Sequence, residues 1–165
     1  QEAGNWTGVL FAVQAIGSIL WAMVLPMFKS VKVGYSLSLV LGAAGFISTY
    51  FIHDQYLLFL SFILIGCAWA AMLAMPFALL TNSLSGKSMG SYLGLFNCTI
   101  CLPQIVAALV GGFLFKTFGG EKVELISNGV ATEVQSGQIM MLVIAGVSLL
   151  LAAVAVFGIS TRKAK

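Results

Sequence analysis

The sequence predicts an all-α integral membrane protein with five transmembrane helices, and three observations carry that prediction. Of its 165 residues, 60% are hydrophobic and 8% are charged, whereas a soluble domain carries about 25% charged residues. Five apolar stretches of spanning length contain no charged residue. The loops between them sort their charges by side, as cytoplasmic and external loops do. The same composition excludes a soluble enzyme, a disordered regulator and a nucleic-acid binder, because eight Lys+Arg cannot form a basic groove. Three cysteines give an odd count with no paired framework, so disulfides do not organise the chain.

The stretches fall at about residues 6–28, 33–51, 56–80, 92–115 and 139–159. Each is near the ~20 residues that cross ~30 Å of hydrocarbon at 1.5 Å per residue. Helix is the form they must take, because lipid offers no partner to an unpaired N–H or C=O. Strict alternation, the mark of a barrel strand, is lacking in all five. The first stretch is too long for a signal peptide and has no basic leader. The one long connection, Thr117–Gln138, is rich in Gly, Ser and acidic residues and reads as a loop.

Lys29, Lys32, Lys87, Arg162, Lys163 and Lys165 place six of the eight basic residues on one side. Lys116, Lys122 and all five acidic residues (Glu2, Asp54, Glu121, Glu124 and Glu133) fall on the other. Basic loops stay in the cytoplasm, so the C-terminus is expected inside and the N-terminus of this chain outside. An odd number of crossings and a first residue of Gln1 suggest the C-terminal part of a longer membrane protein.

The fourth stretch carries the most chemistry. Gly90, Gly94, Asn97, Cys101, Gln104, Ala108 and Gly111 recur at alternating steps of four and three, which sets them along one helical face. Glycines admit a neighbouring helix, while amides at membrane depth need partners or water. The face is either a packing seam or the lining of an aqueous pathway, where amides suit an uncharged polyhydroxylated ligand. Pro103 lies beside Gln104 and deprives the Thr99 carbonyl of its helical donor; Pro76 does the same to Met72, so both are expected to bend their helices. Gln14, Ser18 and Trp21 share a face of the first stretch, and Trp69 lies seven residues before Pro76. Trp21 and Trp69 sit inside their segments and are either packing residues or an aromatic platform for a sugar ring. The second stretch carries a small-residue ladder, Gly34, Ser38, Gly42, Gly45 and Thr49, which reads as helix contact. By this pattern the first, third and fourth helices line a pathway, and the second and fifth are peripheral.

Other motifs fail. Gly86-Lys87-Ser88 has Thr81 where a phosphate-binding loop needs its first glycine. Cys98 and Cys101 lack a second ligand pair for zinc. His53 sits beside Asp54 in a short outer loop and reads as solvated. No nucleophile–base–orienter set can be assembled, so the chain is not expected to be an enzyme, and neither a cofactor nor a metal is expected.

The segment Met89–Ile105, with Gly94, Asn97, Ile100, Pro103 and Gln104 spaced as G-x-x-N-x-x-I-x-x-P-Q, resembles the penultimate helix of the plant-type sucrose/proton symporters and their bacterial and animal relatives in the major facilitator superfamily. The Gly119-Gly120 pair fits as well, and Gly66–Ala78, with its G-x-x-W-A and P-F-A elements, looks like the tenth helix of that family. The resemblance implies that the five helices correspond to helices eight to twelve of a twelve-helix transporter in the cell (inner) membrane, whose N-terminal half is missing here. It implies alternating access around a midplane site, a neutral sugar or glycoside of the sucrose or maltose kind as substrate, and a proton as coupling ion. Asn97, Gln104, Gln14, Trp69 and Trp21 are then the expected substrate-binding residues. Every charge in this chain lies in a loop or at a helix end, so a coupling carboxylate would belong to the missing part. The competing expectations are a facilitator or exporter of another small molecule and a membrane scaffold subunit without transport.

Overall fold

The computed structural model describes residues 2–83, 89–118, 122–127, 130–135 and 138–158. Among the described residues five α-helices follow one another: α1 (Glu2–Val24), α2 (Val31–Phe51), α3 (Leu57–Ser83), α4 (Met89–Phe118) and α5 (Gln138–Gly158). All five are long and apolar enough to cross a membrane. α1 starts four residues earlier than the sequence suggests, and its α-helical part ends at Val24, passing into a 3-10 turn at Leu25–Met27. Pro26 explains the change, because it has no N–H for the carbonyl of Ala22. α3 and α4 instead run on through Pro76 and Pro103.

The connection expected to be a loop holds two strands, β1 (Lys122–Ser127) and β2 (Val130–Gln135), paired antiparallel with Ser127 opposite Val130 and Lys122 opposite Gln135. The residues between Ser127 and Val130 are Asn128-Gly129. That dipeptide between runs containing β-branched residues is a strong hairpin signal, and a reading by composition alone passes over it.

The chain divides into two compact units, the first Gln1–Leu84 with Leu142–Lys165, the second Ser85–Met141. The first is a helical bundle in which α1 and α3 run parallel. Trp6 meets Tyr56 and Phe59 at one end, Phe11 meets Phe62, and Trp21 packs with Ala71 at the other. α2 runs antiparallel to α3 and α5, and its residues Gly34, Ser38, Gly42, Gly45 and Thr49 are all buried. The ladder read from the sequence is therefore a helix-contact face. It does not make α2 peripheral within this unit: α2 touches α3 through Gly42 and Gly45, α5 through Ser36, and α1 through Ser38.

Glycines set how closely these helices approach. A Cβ at Gly45 would stand 2.7 Å from the Ser61 carbonyl oxygen, and one at Gly146 would stand 2.8 Å from Ile47. One at Gly42 would overlap Ala68. α1 and α3 interlock reciprocally, with Gly17 against the backbone of Ile63 and Gly66 against that of Gln14 and Ser18. In hydrocarbon such contacts matter because packing, rather than exclusion from water, holds helices together. Hydroxyls add to them: Ser48 and Ser61 join α2 to α3 at 2.8 Å, and Ser36 donates to the Ala153 carbonyl of α5 at 3.1 Å.

Candidate substrate pathway

In the second unit, α4 presents the polar face predicted from its spacing. Gly90, Gly94, Asn97, Cys101, Gln104 and Ala108 are exposed, and Gly111 is half-buried. A Cβ added at Gly90, Gly94 or Gly111 would meet nothing within 4 Å. The contrast with Gly42, Gly45 and Gly66 separates two kinds of glycine face, one closed by a neighbour and one open. Asn97 and Gln104 lie seven residues apart, about 10 Å along the axis, on a helix whose span Gly90–Leu114 contains no buried residue. The Thr99 hydroxyl, beside the carbonyl that Pro103 leaves without a donor, bonds back to Phe96 at 2.7 Å.

The remaining expected site residues belong to the first unit. Gln14 is half-buried on α1, and its backbone carbonyl lies 3.0 Å from the Ser18 hydroxyl. That hydroxyl is also 2.9 Å from the Gly66 carbonyl of α3, so one proton is shared between two acceptors on different helices. Trp21 has a structural post. Its indole N–H donates to Ser38 Oγ of α2 at 2.8 Å, and Ser38 in turn donates to Gly34 at 2.7 Å. Its ring packs on the cluster of Leu25, Ala71 and Met75. Trp69 is 52% exposed on α3, and Pro76 is half-buried beside the buried Met75. Of the two tryptophans, Trp69 is thus the more accessible to a ligand.

The sequence leaves Trp21 as either a packing residue or an aromatic platform, because indoles serve as both. Ser38, a hydroxyl at membrane depth able to accept the indole proton, is the feature that favours the packing role. Trp21→Phe keeps the ring packing and removes that bond. A destabilisation of about 0.6 kcal/mol is expected, the average for such interhelical bonds in a membrane protein, read as a small fall in melting temperature in detergent. A drop in substrate affinity at unchanged melting temperature would instead return Trp21 to the site.

Among the described residues no group of three or more His, Cys, Asp or Glu could hold a metal ion. Cys98 and Cys101 are free and exposed, and Cys67 is free and buried. No family model, curated protein or solved structure matches the chain.

Proposed function

We propose that the chain is part of a secondary active transporter of a neutral sugar or glycoside, working by alternating access and coupled to protons. The observation that carries the reading is the α4 face: two amides, Asn97 and Gln104, exposed on the charge-free span Gly90–Leu114 between open glycine positions. An amide held in hydrocarbon without partner or water costs several kcal/mol, so this face calls for a second surface or an aqueous path. Amides donate and accept at once, which matches the hydroxyls of a sugar. Trp69, half exposed, offers a ring to its apolar face. The resemblance of Met89–Ile105 and Gly66–Ala78 to the sucrose/proton symporters supports the same substrate class. The coupling carboxylate is assigned to residues beyond this chain.

Uptake of labelled sucrose or maltose into vesicles bearing the whole gene product, with and without an inward proton gradient, tests the reading. Gradient-driven accumulation is expected. Equilibration without accumulation would point to a facilitator. No flux of any sugar, with stable co-purification of another membrane protein, would favour a scaffold whose open glycine positions only receive partner helices.

The orientation is part of the proposal: Lys87 and the tail Arg162, Lys163 and Lys165 inside, Asn128 outside, all of them beyond the described residues. Single cysteines at Lys87 and Asn128, in a background without native thiols, are to be exposed to an impermeant maleimide in intact cells. Labelling of Asn128→Cys alone is expected, and labelling of Lys87→Cys alone would invert the topology.

A further inference from the structure

We propose that Cys98 and Cys101 of α4 form a binding site for one soft monovalent cation of the Cu+ or Ag+ kind, held between two thiolates. Both cysteines are free and exposed, and they stand three residues apart on one helix. That spacing sets them about 60° apart around the axis, with their Cβ atoms about 5–6 Å apart. A disulfide needs about 3.5–4.5 Å between the Cβ atoms, so a regular helix holds this pair too far apart to join directly. A bridging ion removes the difficulty. Two metal–thiolate bonds of about 2.3 Å each, the length that zinc makes, put the sulfurs about 4.6 Å apart on either side of a linear ion. Rotation about the two Cα–Cβ bonds brings the sulfurs to that separation.

The surroundings choose the ion. α4 carries no His, Asp or Glu and no third cysteine, so a four-coordinate zinc or iron–sulfur centre lacks ligands on this helix. Thiolates select soft metals, and a d10 monovalent ion is complete with two of them. Binding releases both thiol protons to water and leaves a complex with one negative charge, in a span, Gly90–Leu114, that has no charged residue. Asn97 lies four residues before Cys101 and Gln104 three after it, so each is a helix-surface neighbour of that cysteine. Their amide N–H groups are the donors available to a thiolate sulfur that carries the excess charge. Both amides are exposed, so the complex forms without opening a packed interface. Ion and protons must exchange with water, and to that extent the site rests on the reading of the α4 face as the wall of an aqueous path.

The test uses the whole gene product in phosphatidylcholine nanodiscs, with every other cysteine, Cys67 included, replaced by alanine. Silver is the probe because, unlike Cu+, it is not oxidised in air. Bound silver per protein is measured at equilibrium against a soluble thiol competitor. One ion per protein is expected, with release of two protons. Cys98→Ser and Cys101→Ser should each weaken binding about 100-fold or more, the loss of an intramolecular second ligand. Ile100→Cys combined with Cys101→Ser keeps two thiols but sets them two residues apart, where helix side chains do not face each other. That variant should bind no better than a single thiol. The substituted positions of α4 are all exposed, and unchanged helical circular dichroism is the folding control. A displaced pair that binds silver as tightly as Cys98 with Cys101 would overturn the proposal, since the thiols would then act singly. Access is read separately with a water-soluble maleimide. Ready labelling of Cys101 without pair-dependent silver binding would overturn this site and leave the sugar pathway standing. No labelling and no silver binding would overturn both.

Discussion

Gly66→Leu is expected to separate α1 from α3 and to unfold the first unit. A Cβ at this position would overlap the backbone carbonyl oxygen of Gln14 and come within 3.0 Å of the Ser18 nitrogen. Both obstacles are main chain on a neighbouring helix, so no rotamer change relieves them. The hydrogen bond from Ser18 to the Gly66 carbonyl, 2.9 Å, would be lost with the approach. Overpacking costs typically 1–3 kcal/mol and occasionally more, and a leucine at a backbone contact belongs at or above the top of that range, about 3 kcal/mol. Gly66→Ala adds a single methyl, and a helix-propensity gain of about 1 kcal/mol offsets part of its clash. Its net loss is expected to be near 1 kcal/mol. Gly94→Ala is the control: it meets no atom within 4 Å and should be neutral or stabilising by up to about 1 kcal/mol. Thermal melts in detergent check all three, and a Gly66→Leu protein that melts with the wild type would refute the α1–α3 interlock.

For Gln104→Ala the expectation is a loss of about ten-fold in sugar affinity with little change in melting temperature. Gln104 is exposed, so its removal leaves no buried partner unsatisfied. As a ligand it exchanges hydrogen bonds with hydroxyls, and losing them costs ~1–2 kcal/mol, which is about ten-fold. Asn97→Ala is the companion variant, seven residues away on the same face and nearer the Gly90/Gly94 end. If both variants melt early in detergent and bind sugar normally, the α4 face is architecture and the substrate site lies elsewhere.

Much of the fold was legible because a membrane imposes simple rules. Absence of charge over ~20 residues located all five helices, and the small-residue ladder Gly34–Thr49 identified the contact face of α2 residue by residue. What escaped was local chemistry that composition hides. Pro26, in a helix otherwise read as continuous, turns its end into a 3-10 turn. Asn128-Gly129 joins two strands inside a segment whose Gly, Ser and Glu content resembles a loop. The candidate site was half legible. Spacing placed Asn97 and Gln104 on one exposed face of α4, but one sequence position cannot tell an indole awaiting a ligand from one bonded to a distant serine, as Trp21 is to Ser38. The enclosed position of α2 was likewise invisible, since polarity ranks helices by what they carry and not by how many neighbours they touch.

The hydroxyls of this chain bear on how it is made. Ser18, Ser38, Ser48, Thr49, Thr81, Thr99, Thr117 and Ser148 each bond a carbonyl three or four residues back on their own helix. A hydroxyl proton satisfied this way needs no neighbour. α2, α3 and α5 can therefore leave the translocation machinery singly, as self-contained rods, and find their neighbours afterwards in the bilayer. α4 differs, because it carries two amides deep in its span, Asn97 and Gln104, where α1 carries one, Gln14, and an amide has more donors and acceptors than the adjacent turn can occupy. Its transfer into lipid is expected to be the slow event of biogenesis. Pausing the ribosome after α4 should leave that helix accessible to translocon crosslinkers longer than the three before it, and Asn97→Leu with Gln104→Leu should shorten the delay.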